Sequence, residues 1–228
     1  MAGVEPRIEA GIDPDPPAWR ERAVSRSVNA ARDRAEQRVQ RFLDAAFELI
    51  DEKGTTEFTI QEVIDQSKQS LRGFYQYFDG KNELMLAVFE DTVRSSAKQL
   101  LTQLDPEAGP LERLRCFVTG LAVLCHRSSP TSRVLVDFAQ RMLTEHSEQA
   151  VDTYRPLIVV LQQLLADGAE AGIVRAGVGT DSTAAVMLQV ITFDELTQAI
   201  SGTIERGDAA TESAVLWDLF TTGLGLSS

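Results

Sequence analysis

The chain has 228 residues, 43% of them hydrophobic and 25% charged, with a net charge of −12. That is enough apolar material for a full core and enough charge for a hydrated surface, and no apolar run approaches the roughly 18 residues that span a membrane. The Pro-rich, charged N-terminus lacks the apolar stretch of a secretory signal, so a cytoplasmic protein is expected.

Charge is unevenly placed. Residues 1–19 carry one Arg and four acids, residues 20–81 carry eleven charges of each sign, and residues 82–228 carry ten basic and nineteen acidic residues. Within Arg20–Arg41 there are seven Arg against three acids. Phosphate contact depends on local charge, so an acidic body behind a locally basic segment is compatible with a nucleic-acid partner. Cys116 and Cys125 project from opposite sides of a helical pattern at about 100° per residue, and cannot bridge each other within it. With two histidines besides, the inventory predicts no metal and no cofactor.

In chain order, residues 1–17 read as a disordered or loosely attached tail. From Ala18 to Lys53 there is neither Pro nor Gly, and Val39, Phe42, Leu43, Ala46, Leu49 and Ile50 mark an amphipathic helix that Gly54 stops. Thr59 and Glu62 form a capping box for a second helix running to about Gln66. Ser70 caps a short third helix through roughly Tyr77, Asp79-Gly80 breaks it, and a long helix runs from Lys81 to Leu104. Val93, Ala97, Leu100, Leu101 and Leu104 lie on one face of that helix.

Past Pro106, Gly109 and Pro110 come five further helical patterns without strand-like alternation. One begins near Leu111 and another at Pro130. A third covers Ser147–Ala171, with Pro156 as an expected kink. A fourth, from Thr180 to about Gly202, is apolar on more than one face and predicts burial on two sides. The last covers Asp208–Leu224. The fold class is all-α: an N-terminal three-helix helix-turn-helix domain followed by a larger helical domain. The expected division is a tail over 1–19, an Arg-rich arm and helix-turn-helix domain over 20–81, and the helical domain over 82–228.

The stretch Thr59–Leu84 carries the chemistry. A helix-turn-helix places a short second helix in the major groove, where base edges carry the sequence code. Gln69, Ser70, Leu71, Arg72 and Gly73 sit at the start of that helix. Arg72 has the fork for guanine, Gln69 or Ser70 can donate to base or phosphate, and Gly73 leaves the backbone room. Tyr75 and Tyr77 offer hydroxyls to phosphate. Lys81 adds charge at a helix start whose free N–H groups favour an anion, and Thr59 lies at another. Phe74 and Phe78 belong to the core. Spacing alone is equally compatible with three ordinary helices of a bundle. That leaves open a protein-interaction module without DNA contact, or a small-molecule enzyme on a helical bundle.

The residues Phe42-Leu43-Asp44-Ala45-Ala46, Gly54, Thr59-Ile60-Gln61-Glu62-Val63 and Tyr75-Gln76-Tyr77-Phe78, with Lys81 and Leu84, resemble a TetR-type transcriptional regulator over roughly residues 38–90. The resemblance implies a homodimer that binds double-stranded operator DNA and dimerises through its last two helices. It also implies a small-molecule inducer, while the lack of an apolar span predicts no membrane partner and the lack of a nucleophile, phosphate-loop or dinucleotide motif predicts no catalytic residues. Thr59, Tyr75 and Lys81 would then contact phosphates, and Gln69–Gly73 would read bases. The chain departs from the family where Ser67-Lys68-Gln69 replaces Ala-Gly-Val, where Ile64 replaces a small residue, and where Phe74 and Tyr77 replace Leu and His. Lys68 at the glycine position implies a left-handed backbone cost of about 1 kcal/mol.

Two assignments remain. Arg20, Arg22, Arg26, Arg32 and Arg34 form either a solvated helix face or an arm reaching the minor groove or backbone. Phe117, Leu121, Phe138, Met142, Tyr154, Leu157, Leu161, Met187 and Ile191 are core candidates. Some of them would line an apolar pocket for an acyl-like inducer, with His126, Arg133, Tyr154 or Gln189 as polar handles. His126 and His146 read otherwise as surface or capping residues.

Overall fold

The computed structural model describes residues 18–125, 131, 134–135, 137–138, 141–142, 147–175, 180–201 and 209–224. Among these the regular elements are helices, with no strand. They are α1 (Ala18–Lys53), α2 (Ile60–Ser67), α3 (Leu71–Phe74), α4 (Lys81–Gln103), α5 (Pro110–Cys125), α6 (Ser147–Glu170), α7 (Thr180–Ser201) and α8 (Ala209–Leu224). The tail through Pro17, Pro130, Arg133, His126 and His146 lie outside the described residues, as do the side chains of Phe193, Leu196 and Ile200.

The chain divides into two compact units at Arg41/Phe42. The first contains the N-terminal part of α1, whose described residues are exposed apart from half-buried Ala35 and Val39. The second contains everything from Phe42 onward.

In the second unit the end of α1 buries Phe42, Ala45, Ala46, Leu49 and Ile50. Gly54 closes the helix at φ 63°, its N–H donating to the Ile50 carbonyl at 2.8 Å. Phe42, Phe74 and Phe78 form an aromatic triad with centroids 5.4–6.1 Å apart. Phe42 meets both other rings edge-on, packing that adds about 0.5–1.5 kcal/mol per pair beyond burial and fixes α3 against α1. Behind this domain α5 is the central rod, packed against α4, α6, α7 and α8. Leu114, Phe117, Val118 and Leu121 of α5 are buried. A Cβ at Gly120 would stand 2.7 Å from Leu100 Cδ2, so glycine there permits the close approach of α5 to α4. Arg113 donates to Asp167 at 3.0 Å and ties α5 to α6.

Three features differ from the sequence expectation. The third helix ends at Phe74 and continues as a tight turn, because the N–H groups of Gln76 and Tyr77 donate to the Gly73 and Phe74 carbonyls three residues back. Leu101 is exposed while Val93, Ala97 and Leu100 are buried, so the buried stripe of α4 is narrower than its apolar sequence. On α7, Met187 and Ile191 are buried but Val186 is exposed, so the isolated chain does not bury that helix on both sides. α6 runs through Pro156 as one helix.

Candidate nucleic-acid interface

Thr59 adopts an extended backbone and its hydroxyl accepts from the Glu62 N–H at 3.2 Å, while Glu62 accepts from the Thr59 N–H at 2.8 Å. This capping box satisfies donors at the start of α2. Lys53 of α1 reaches the same carboxylate at 2.5 Å, a contact between charges far apart in sequence that the local pattern does not signal. The Lys53 hydrogen bond, followed by those from Thr59, lowers the Glu62 carboxyl to about 2. Gln66 donates to Glu48 at 2.7 Å, a second α2–α1 tie.

α2 ends at Lys68, whose left-handed backbone (φ 56°, ψ 32°) lets its N–H donate to the Ile64 carbonyl. A lysine occupies the conformation that glycine adopts freely, as the family resemblance implied. Ile64 is buried, so the side chain larger than the family's usual residue is absorbed between the helices.

Ser70 then caps α3 by accepting from the Gly73 N–H at 3.0 Å. A Cβ at Gly73 would lie 3.2 Å from that serine oxygen, so the glycine protects the cap as well as leaving the helix surface low. Gln69 folds back, its amide donating to the Lys68 carbonyl at 3.3 Å. The Gln69 carbonyl oxygen can still accept and the Ser70 hydroxyl can still donate. Leu71, Arg72 and Tyr75 are exposed and Tyr77 is half-buried, while Phe74 and Phe78 are fully inside. The turn thus separates its residues cleanly. Apolar rings point in, and a guanidinium, a phenol and a leucine point out.

Lys81 opens α4, where Gly80 supplies no side-chain cap. Its ammonium lies 4.6 Å from the centroid of the Phe58 ring, a cation–π contact that sequence reading did not anticipate. Partial desolvation lowers its pKa, opposed by Glu57 and Glu62. Thr59, Ser70 and Lys81 therefore stand at three helix starts within one domain, each with a local structural duty.

A cleft of about 1000 Å³ lies beside the start of α4. It is lined by Thr56, Lys81, Met85, Phe138, Arg141 and Met142 among others. Phe138 and Met142 are the members of the anticipated ligand set on its wall. Phe117, Leu121, Leu157, Leu161, Met187 and Ile191 are buried in the helical core. Tyr154 packs edge-on against Phe89 at 5.6 Å, and burial, with Cys125 adding, pushes its hydroxyl well above the ordinary phenol value. Gln189 is exposed. Thr131, itself buried, donates to Asp51 near the end of α1 and so joins the body to the N-terminal domain. No group of three potential metal ligands occurs among the described residues, and no helix there is long and apolar enough to cross a membrane.

The fold and this turn define an all-α protein with an N-terminal helix-turn-helix. Residues 42–88 match the bacterial regulatory proteins of the tetR family. An uncharacterized HTH-type transcriptional regulator in the lacX 3′ region of Lactococcus lactis subsp. lactis is 35% identical over 77 residues, which span 33% of this chain and 39% of that relative's length. Among solved structures, the fatty acid degradation regulator FadR of Bacillus halodurans superposes with a TM-score of 0.62 at 17% identity, covering 83% of this chain and 97% of its own. FadR of Bacillus subtilis, solved in complex with stearoyl-CoA, gives 0.64 at 16% identity over 81% and 98%. Reduced NemR of E. coli gives 0.61 at 17% identity over 84% and 100%. Residues 42–88 thus carry the N-terminal segment of the tetR family, and the chain as a whole shares the fold of these solved regulators.

Proposed function

We propose that this protein is a cytoplasmic, homodimeric, sequence-specific DNA-binding transcriptional regulator, a repressor released from its operator by a small apolar ligand. The observation that carries the reading is α3: four residues, side-chain capped, with Arg72 and Tyr75 outward on a domain matching the tetR family. In this reading two copies of α3, held about 34 Å apart, enter successive major grooves of a near-palindromic operator. Arg72, with Gln69, Ser70, Leu71 and Gly73, reads base edges. Thr59, Tyr75, Tyr77 and Lys81 hold phosphates. The arm and reading domain extend over residues 20–81, and ligand binding and dimerisation over residues 82–228.

Dimerisation through α7 and α8 is supported by Val186, Val215 and Leu219, which stay exposed on the last two helices while Met187, Leu216 and Phe220 fill the core. An acyl-type ligand is supported by the stearoyl-CoA bound to the similar FadR and by the cleft's pairing of apolar Met85, Phe138 and Met142 with cationic Arg141 and Lys81. A ligand that prefers a different spacing of the reading heads lowers operator affinity in proportion to that preference, typically about 5- to 150-fold. The Asp51–Thr131 contact is a route by which the body's state reaches α1.

The test is binding to DNA from upstream of its own and adjacent genes, by anisotropy at two salt concentrations. One fragment should bind tightly and resist competitor. Tyr75→Phe should weaken all sequences alike, and Arg72→Ala should cost about 1–3 kcal/mol and relax preference at particular bases. No binding at low salt by a folded dimer would replace this reading with a protein-interaction module.

A further inference from the structure

The N-terminal part of α1 precedes the segment that matches the tetR family, and nothing in the mechanism above uses it. It is helical from Ala18 onward and forms its own unit through Arg41. At about 100° per residue, Arg20, Arg22, Arg26, Arg34, Arg38 and Arg41 fall within roughly 160° of its circumference. Val24, Val28, Ala31, Ala35 and Val39 fall on a separate stripe roughly 80° wide, centred well away from the arginines. The six arginines are exposed and make no ion pair among the described residues, whereas Arg32, outside their arc, pairs with Glu36 at 2.7 Å. Trp19, Ser27, Gln37 and Gln40 share the arginine side, with Asp33 the one acid between Arg20 and Arg41 that falls on it.

We infer that this helix is a second DNA-contacting element, a phosphate-binding face that lies along the backbone of the duplex beside the operator. The inference rests on the DNA-binding reading of the domain that follows. Charge complementarity selects the occupant: seven Arg against three acids, on a chain of net charge −12, face a polyanion. Geometry selects the mode. A helix with its side chains is about 10–12 Å across, too wide for a minor groove of about 6 Å. A helical arm therefore cannot thread that groove as an extended arm does, and the minor-groove option raised by the sequence gives way to backbone contact. Backbone contact carries no sequence information of its own. The helix therefore adds affinity and salt dependence without adding specificity.

The experiment uses the full chain with Arg20, Arg22, Arg26 and Arg34 all changed to Gln, beside a version with all four changed to Lys. Affinity is measured against salt on the strongest upstream fragment and on a random duplex of equal length. The Gln variant should bind both DNAs more weakly and leave their ratio unchanged. Its log–log salt slope should be shallower by about 3–4 per bound chain. The Lys variant should restore the slope, which a purely structural role for the arginines would not. Circular dichroism checks that helix content is kept. An unchanged slope in the Gln variant overturns the proposal, as does a changed oligomeric state with the slope intact, which would make the arm a self-association element. If Arg72→Ala leaves the sequence preference untouched while the Gln variant flattens the slope, direct readout through α3 fails and the arm's role stands. The opposite pattern removes the arm's role alone.

Discussion

The helix-turn-helix domain and the helical body bury their cores alike but present different chemistry outward. In the small domain an aromatic triad of Phe42, Phe74 and Phe78 holds α3 against α1, and the starts of α2 and α3 are each fixed by a short-range polar contact. What remains exposed around the turn is largely polar: Arg72, Tyr75, Ser70 and Lys68. In the body the core mixes aliphatic side chains with Phe89, Phe117, Phe138 and Phe220, α5 is wrapped on several sides, and the last helix exposes Val215 at 65% and Leu219 at 58% one turn apart. A charged, hydrogen-bonding rim suits a solvated polyanion. An i, i+4 apolar pair beside a packed core suits another protein surface. The two surfaces thus differ in kind, and in the proposed reading the second takes a copy of the chain.

Breaking the triad should have the largest effect. Phe42→Ala removes a fully buried ring that touches both other rings, and a loss of about 3–5 kcal/mol is expected. Thermal unfolding of this variant beside Leu161→Ala in the body sharpens the comparison. If the two regions unfold as one, both substitutions lower a single midpoint. If they unfold separately, Phe42→Ala lowers an early transition and leaves the body's in place. The next largest effect belongs to the other face. Leu219→Glu puts a charge on the exposed pair without touching buried Phe220. Sedimentation should then find monomers that keep their helix content, and operator affinity should fall by more than about tenfold, since each monomer reaches one half-site. A dimer that survives Leu219→Glu would move the self-association surface elsewhere.

Acid should separate the regions at a smaller scale. The Glu62 carboxyl titrates at about 2 in the folded domain against 4.5 ordinarily, held down by Lys53 and then Thr59. A depressed carboxylate contributes fully above the ordinary value. The contribution declines as pH falls from about 4.5 and is gone below about 2. The midpoint of the helix-turn-helix domain should therefore drop over that window, and Glu62→Gln should remove that part of the drop. Equal pH dependence in wild type and Glu62→Gln would show that the carboxylate is not held in solution.

Legibility follows the range of the interactions. The Thr59–Glu62 box and the Ser70 cap are contacts within three residues, so residue type and spacing revealed them, whereas the left-handed Lys68 was legible only through the family resemblance. The early end of α3 escaped, because its closing bonds belong to a tight turn whose residues read equally well as helix. Lys53 on Glu62, Lys81 on Phe58 and Thr131 on Asp51 escaped for a different reason: their partners are brought together by the fold. Leu101 shows the limit of periodicity, since an apolar residue next to a buried stripe is not thereby buried. The cleft shows the same limit for the site. Phe138 and Met142 share its wall with Lys81 and Thr56, which no helical pattern would place beside them.

Lys68 gives the smallest and most local way to test the small domain's design. Its left-handed backbone costs a side-chain-bearing residue about 1–2 kcal/mol. Glycine removes that cost but adds about 0.5–1 kcal/mol of backbone entropy to the unfolded chain. Lys68→Gly should therefore stabilise by up to about 1 kcal/mol, raising the thermal midpoint by about 2 °C. Lys68→Ala keeps the strain and should gain nothing. The pair isolates backbone from charge, because both variants lose the ammonium and only one relaxes the turn. If both weaken DNA binding equally while only Lys68→Gly gains stability, the lysine is kept for its charge beside the reading helix. If Lys68→Gly alone weakens binding, the residue is kept for the rigidity it lends the turn, and the strain is part of how α3 is held.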